Sequence, residues 1–405
     1  MGGCAGILYL RKHMSKQKIV LFLTVFIDLI SFGVVIPFLP SYVEKMTGSP
    51  IMPGLTVAVF SVAQFFFNPI WGAMSDRFGR RPIIIGSLSV SVLGYALFTF
   101  ATNLPILWIS RFLSGVGAGN ISAAQAYISD ITTPKDRAKT MGMIGAAFGL
   151  GFVIGPLVGG VLMSQFGFMS VGIFCSALCL LNLLLAFFML PESLNMQEQR
   201  DVRRINLFPL KSFLQTLRVP NLNITFWAGF AFTAAFFFFQ INSPLVWEQR
   251  YKLSESDLAL VFTAIGLSSF VVQGILLRFT SRYFTEKQQI LAGFILLGIG
   301  IFMVPFAPKA YFWSYTVFCI ILVATGNGIV NPNLTTVVSK NVDMKSQGLV
   351  LGLYQSFGAL ARILGPVIGS LFYSIWWLLP FFAAAFVYFI NAFWFGRYKA
   401  GLEQI

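Results

Sequence analysis

Apolar runs of membrane-spanning length follow one another along nearly the whole chain, and no other feature narrows its possible folds as much. The first, from Lys18 to Tyr42, reads KIVLFLTVFIDLISFGVVIPFLPSY. A bilayer core of about 30 Å takes roughly 20 residues of helix at 1.5 Å rise each, and by that criterion the chain holds about twelve such segments. They fall near 18–42, 52–73, 82–102, 106–128, 141–165, 171–190, 222–246, 259–279, 289–307, 313–338, 348–374 and 376–395. Inside lipid a spanning segment must satisfy its own backbone polar groups, so runs of this length read as helices. The expectation is an all-α, polytopic membrane protein, with the lipid bilayer as its partner. Composition agrees: 57% of residues are hydrophobic and 10% charged, against about 25% charged in a soluble domain.

The polar breaks are short except for 191–220, which carries Arg200, Arg203, Arg204, Lys211 and Arg218. This reads as a solvated cytoplasmic linker. It divides the chain into an N-terminal half (18–190) and a C-terminal half (221–396), with tails at 1–17 and 397–405. Met14-Ser-Lys-Gln-Lys has the form of an ordinary start for the first span, and Gly6 stands where an acylation signal wants Ser or Thr.

A net charge of +14 would suit nucleic acid, but the placement of the cations assigns it to topology. Lys and Arg accumulate on cytoplasmic loops. With both termini inside, Arg11, Lys12, Lys16, Lys18, Arg77, Arg80, Arg81, Lys135, Arg137 and Lys139 are cytoplasmic, as are the linker cations, Arg278, Arg282, Lys287, Lys340, Lys345, Arg397 and Lys399. The other face receives only Lys45, Arg250, Lys252 and Lys309. The reading is a multi-pass protein of the cell (inner) membrane with cytoplasmic termini and no nucleic-acid partner. Cys4, Cys175, Cys179 and Cys319 lack metal spacing, and Cys175 and Cys179, one turn apart in an apolar run, read as packing residues. The sole histidine is His13. No nucleophile–base pair, metal site or cofactor motif occurs, so an enzyme is not expected.

The halves repeat each other. SDITTPKDRAKTMGMIGAAFGLGFVIGPLVGG, ending at Gly160, aligns without a gap to SKNVDMKSQGLVLGLYQSFGALARILGPVIGS, ending at Ser370. Ser129, Lys135, Gly142, Gly155, Pro156 and Gly159 coincide with Ser339, Lys345, Gly352, Gly365, Pro366 and Gly369. Parallel repeats joined by a central loop are one way transporters are built, with substrate bound near the midplane. Within the first run, Asp28 stands bare among Phe26, Ile27, Leu29 and Ile30. A carboxylate at that depth costs about 2.5–3.5 kcal/mol on insertion scales and is a functional candidate by default. Burial disfavours its charged form and brings proton exchange toward working pH.

Three motifs carry a resemblance. Gly72–Ile85 reads GAMSDRFGRRPIII, which resembles the signature loop of the major facilitator superfamily, G-x-x-x-D-R-x-G-R-[RK]. The resemblance makes Gly72, Asp76, Arg77, Gly79, Arg80 and Arg81, with Asp130 at the end of helix four, a charged cytoplasmic latch between the halves. Helix four, LWISRFLSGVGAGNISAAQ, is similar to the superfamily's R-x-x-x-G-x-G motif, seen best in proton-coupled members, and places Arg111 in an apolar run. A buried guanidinium needs an acceptor, and Asp28 is the natural candidate; the two are expected to couple protons together. Helix five, GLGFVIGPLVGG, resembles the motif of drug–proton antiporters through Gly151, Gly155, Pro156, Gly159 and Gly160.

Asp28-Leu-Ile-Ser-Phe-Gly-Val-Val-Ile-Pro37 looks like the corresponding stretch of tetracycline-type exporters. Those exporters also carry charges deep in helices three, eight and nine; here these helices carry none, and helix eleven has Arg362 instead. The coupling machinery thus looks reduced to one acid. Candidates for the substrate cavity are Gln64, Asn120, Gln125, Gln240, Asn242, Gln273, Asn327, Asn331, Gln355 and Arg362. The resemblance implies a twelve-helix major facilitator fold of two pseudo-symmetric six-helix halves. It also implies a monomeric carrier exchanging protons for small amphipathic or lipophilic compounds: multidrug efflux at the plasma membrane, with antibiotic resistance as its outcome. The alternatives are a proton symporter or uniporter importing a small metabolite, which the same scaffold can host, and a membrane scaffold or sensor, which would need no titrating acid.

Overall fold

A computed structural model describes residues 2–132, 134–193, 217–272, 276–342 and 347–397. The elements are α1 (Gly2–Val35), α2 (Leu39–Thr47), α3 (Met52–Phe78), α4 (Arg80–Thr99), α5 (Leu104–Gly117), α6 (Ile121–Ile131), α7 (Pro134–Phe166) and α8 (Phe168–Met189). Then come α9 (Pro220–Tyr251), α10 (Glu255–Val271), α11 (Leu277–Thr280), α12 (Glu286–Met303), α13 (Phe312–Lys340), α14 (Gln347–Ile375) and α15 (Leu379–Gly396). No strand occurs among the described residues.

Each expected span has a counterpart, and three of them are broken. Helix one is α1 and α2, bent by 42° where Pro37 and Pro40 withdraw backbone donors. Helix four is α5 and α6, joined by a 3₁₀ turn at Ala118–Asn120. Helix eight is α10 and α11, and the candidate Gln273 lies outside the described residues between them. Eight described helices are long and apolar enough to cross a membrane unaided, or nine with the bent pair. Most of the connection expected at 191–220 also lies outside the described residues.

By internal contacts the chain forms two compact units, Met1–Val35 with Ala63–Phe208 and Ile36–Val62 with Pro209–Ile405. The hairpin at 36–62, which the order of apolar runs assigns to the first half, packs inside the second unit. There α2 lies against α9, Lys45 Nζ meets Glu248 Oε1 at 2.6 Å, and Gln249 Nε2 donates to Glu44 Oε2 at 2.7 Å. Gly54 fits against the Pro366 carbonyl and Ser370 Oγ, where a Cβ would overlap both.

Within the units the repeated sequence produces repeated packing. In the first, α7 packs most extensively on α1, α4 on α8, and α4 on α5. In the second, α14 packs on α9, α12 on α15, and α12 on α13. These are the same helix pairs of each half. The glycines explain the closeness of the first pair. A Cβ built on Gly155 would lie 2.6 Å from the Gly33 carbonyl carbon, and one on its repeat partner Gly365 2.9 Å from the Ala234 carbonyl oxygen. Small residues let helix backbones touch in lipid, where packing replaces the hydrophobic drive.

Gly155→Leu is therefore expected to push α1 from α7. Overpacking of this kind costs about 1–3 kcal/mol, read as a lower melting temperature of the detergent-purified protein. Gly86→Leu, where a Cβ meets no atom within 4 Å, should leave melting unchanged; equal melting of the two variants would contradict the packing described.

Candidate functional site

Asp28 sits on α1 in the first unit. Val20, Leu21, Val25 and Leu29 of the same helix join Ile84, Leu88, Ala124 and Tyr127 in a buried apolar cluster. The carboxylate has two amide partners. Asn120 Nδ2 donates to Oδ2 at 2.9 Å, and Asn182 Nδ2 donates to Oδ1 at 3.1 Å. Asn182, fully buried on α8, also donates to the Thr24 carbonyl at 2.9 Å, so it ties the carboxylate and its helix to one point. A neutral amide is a weaker anchor than a cation. Among the described residues Asp28 has no ion-pair partner, so a proton can join the carboxylate without breaking a salt bridge.

The break in helix four presents Asn120. Gly115, Gly117 and Gly119 precede it, and the chain tightens into the 3₁₀ turn at Ala118–Asn120. Side chains of the first unit take up the carbonyls that this turn frees. Trp71 Nε1 donates to the Val116 carbonyl at 2.7 Å and Gln64 Nε2 reaches that of Ala118 at 3.5 Å; in the other direction, Ser122 Oγ of α6 donates to the Asn68 carbonyl of α3 at 2.7 Å. Gln64 thus serves the helix break that positions Asn120. The Asn68 amide oxygen is buried with no partner.

The expected pairing of Arg111 with Asp28 is absent. Asn120 meets Asp28, and Arg111 stands nine residues earlier in the same span, about 13 Å away along a helix axis at 1.5 Å per residue. The Arg111 guanidinium is buried, 2% exposed, over the rings of Phe98 (4.5 Å) and Tyr95 (5.3 Å). Its Nη2 reaches Ser114 Oγ at 3.4 Å, and its Nε has no partner. Aromatic faces hold cations by their quadrupole, and here they stand where a carboxylate was expected. Cys175 and Cys179 are free thiols packed on Ser31 of α1, with contacts of 3.6 Å to its carbonyl and hydroxyl.

The signature loop closes on Arg80, not on all its cations. Buried Arg80 donates through Nε to Asp130 Oδ2 at 3.0 Å, through Nη1 to Ser75 Oγ at 2.7 Å, and through Nη1 to Asp76. Arg77 is exposed beside Phe78, and Arg81 Nη2 donates to the Phe187 carbonyl at 2.7 Å. Glu192 completes the cluster and was not foreseen. It accepts the backbone N–H groups of Arg80 (2.8 Å) and Arg81 (3.1 Å) at the start of α4, where a helix favours an anion. Gly79 has φ 101°, and a Cβ there would strike Glu192 Oε2 at 2.5 Å. Gly72 lies against Ser122. In helix five, Gly151 and Gly155 contact Leu29 and Gly33 on α1, while Pro156, Gly159 and Gly160 lie inside α7.

The remaining cavity candidates separate by packing. Asn242 is fully buried, donates to the Phe238 carbonyl at 2.7 Å and lies beside Gly369, so it joins α9 to α14. Gln240 is buried as well. Asn327 and Arg362 are half-buried, and Gln125, Asn331 and Gln355 are exposed. Asn182 and Glu192 were missed in the sequence reading. The one signal for Asn182 is an amide inside the run Cys179–Leu185, CLLNLLL.

Comparison with known proteins follows this geometry. The sequence model of the Major Facilitator Superfamily matches residues 21–366 and 287–403. Multidrug resistance protein 2 of Bacillus subtilis is 30% identical over 93% of this chain and 94% of its own. The class C tetracycline resistance protein of Escherichia coli is 30% identical over 89% of this chain and 90% of its own. The crystal structure of the nucleoside transporter NupG superposes with a TM-score of 0.78 at 15% identity, covering 95% of this chain and 100% of that one; at that identity the likeness is one of fold. With an all-helical chain, a repeated helix packing in its two units and a family match along most of its length, the protein belongs to the Major Facilitator Superfamily.

Proposed function

We propose that this chain is a carrier, not an enzyme, that exports small amphipathic or lipophilic compounds in exchange for protons. The observation that carries the reading is Asp28: a carboxyl group in the first spanning helix, held by Asn120 and Asn182 with no cation paired to it among the described residues. The export direction is supported by the relatives, whose names are multidrug resistance and tetracycline resistance proteins. Placement in the cell membrane with both termini cytoplasmic is supported by the cation asymmetry of the loops.

The cycle needs one group that takes a proton in one state and releases it in the other. Asp28 takes it when open to the outside and releases it inside, and compound moves against the proton. The two amides suit both forms: each can donate to the charged carboxylate, and neither demands that it stay charged. Arg111, seated on Phe98 and Tyr95, lies on the same span as Asn120 and is proposed to act apart from the carboxylate. One proton moving down 100 mV yields about 2.3 kcal/mol, and each pH unit adds about 1.4. That sustains an outward gradient of tens- to hundreds-fold. The Arg80 cluster ties α3, α4 and α6 together within the first unit, and parting it would strip a buried guanidinium of two carboxylates at a cost of about 3–5 kcal/mol; its proposed part in the cycle is to keep this end of the unit rigid, where the signature loop was expected to join the two halves.

In everted vesicles carrying a pH gradient, adding exported compound should release protons for the parent and not for Asp28→Asn. If Asp28→Asn protects an efflux-deficient host as well as the parent does, coupling through this residue is wrong. Asn120→Ala and Asn182→Ala each remove a hydrogen bond to a charged group, about 1.5–3 kcal/mol, and should slow proton-driven efflux roughly tenfold. In the Asp28→Asn background neither should have a further effect on compound movement. Independent losses there would mean that the amides act elsewhere than through Asp28.

A further inference from the structure

Among the described residues of the second unit, Arg362 is a cation deep within a span that the proton site and the Arg80 cluster leave unexplained. Arg362 stands near the midpoint of α14, where a guanidinium turned to lipid would be costly and so faces protein or a water-filled space. Its five N–H groups donate and cannot accept. Yet among the described residues it makes no hydrogen bond, ion pair or ring contact.

The carboxylates of its unit are already engaged. Glu248 and Glu255 lie on Lys45 at 2.6 and 3.9 Å, Glu44 on Gln249 at 2.7 Å, Asp257 on Ser254 at 2.7 Å, and Glu286 on Lys340. Every one of them stands at a helix end: the last turns of α2 and α9, and the first turns of α10 and α12. No described acid of this unit lies within the span to neutralise Arg362.

The helix surface around Arg362 is correspondingly open. Tyr354, Phe357 and Gly365 pack on α9 through Phe226, Phe230 and Ala234. Gln355, Gly358 and Arg362, at spacings of three and four, form a separate stripe. Gln355 is exposed. A Cβ on Gly358 would meet only Arg362 Nη1, at 3.8 Å, and nothing else within 4 Å. The half-buried fork therefore lies back along its own helix, with Nη1 over Gly358 and no other described atom beside that position. A planar guanidinium free on one edge matches the two oxygens of a carboxylate, sulfonate or phosphate.

We infer that Arg362, with the space at Gly358 and the amide of Gln355 beside it, recognises an organic anion: a lipophilic compound bearing a single carboxylate, sulfonate or phosphate group. The inference rests on the transporter reading and supplies its substrate class. A neutral compound of the same shape leaves the guanidinium unpaired and binds more weakly, while a cation is repelled.

The test uses the full chain in zwitterionic lipid nanodiscs and two fluorescent probes that differ by one group: 1-anilinonaphthalene-8-sulfonate and its uncharged parent N-phenyl-1-naphthylamine. The sulfonate should bind the parent protein more tightly than the amine. Arg362→Gln should weaken the sulfonate by at least about tenfold, the size of one charge-assisted contact, and leave the amine within about twofold; Arg362→Lys should fall between. Gly358→Leu, which fills the space beside Nη1 and keeps the charge, should also weaken the sulfonate, and it reads the site independently if Arg362→Gln fails to fold. Unchanged sulfonate binding in Arg362→Gln and Gly358→Leu, or equal loss of both probes, overturns the inference. A second arm follows both probes in everted vesicles carrying a pH gradient: proton-driven efflux of the neutral probe there, without Arg362-dependent sulfonate binding in the nanodiscs, defeats this inference alone. Arg362-dependent binding without proton-driven movement of either probe defeats the export reading alone.

Discussion

A carboxyl group placed among apolar side chains at membrane depth must be given hydrogen-bond donors, and the choice of donors decides what it can do. A cation would lock Asp28 in its charged form. Asn120 and Asn182 satisfy both carboxylate oxygens and leave the group free to exchange a proton. Much of the first unit follows from supplying these amides. Helix four interrupts itself at Ala118–Asn120 to bring one in, Trp71 and Gln64 cover the carbonyls so exposed, and α8 packs against α1 to bring in the other.

Arg111 shows how a second buried charge is accommodated without joining the first. Its guanidinium rests on Phe98 and Tyr95, so positive charge is held by ring faces while the carboxylate is held by amides. At the edge of the unit the arrangement is different. Arg80 gathers Asp76, Asp130 and Ser75, and Glu192 caps the helix that Arg80 begins. Charge pairs of this kind resist being parted and hold the ends of α3, α4 and α6 together, whereas a neutral amide cradle permits a change of protonation.

Repetition gives the two units a common grammar. The Gly-Pro pairs at 155–156 and 365–366 place a bare backbone surface on α7 and on α14, and each presses against the first helix of its half. The repeat then diverges in chemistry. The first unit carries an acid on that first helix, and the second carries Arg362 on the repeated helix itself, with no described acid of its own unit to meet it.

The sequence by itself determined the all-helical membrane fold, because backbone groups in lipid leave runs of some twenty apolar residues few other conformations. It also determined the repeat, the identity of Asp28 as an unusual acid, and the glycines of helix five, since each is a local pattern legible without neighbours. The partners were decided only by tertiary structure. Nothing in the sequence reveals that Asn120, nine residues after Arg111 on the same span, is the residue that meets Asp28. Asn182 sits in a run whose neighbours are all apolar, and Glu192 follows the last turn of α8 in what reads as the start of a linker; both acquire meaning only where α8 returns to α1 and α4. The hairpin at 36–62 makes the same point for whole elements. Chain order places it in the first half, but its salt bridge to Glu248 and the fit of Gly54 on α14 place it in the second unit, because packing follows surfaces and not connectivity.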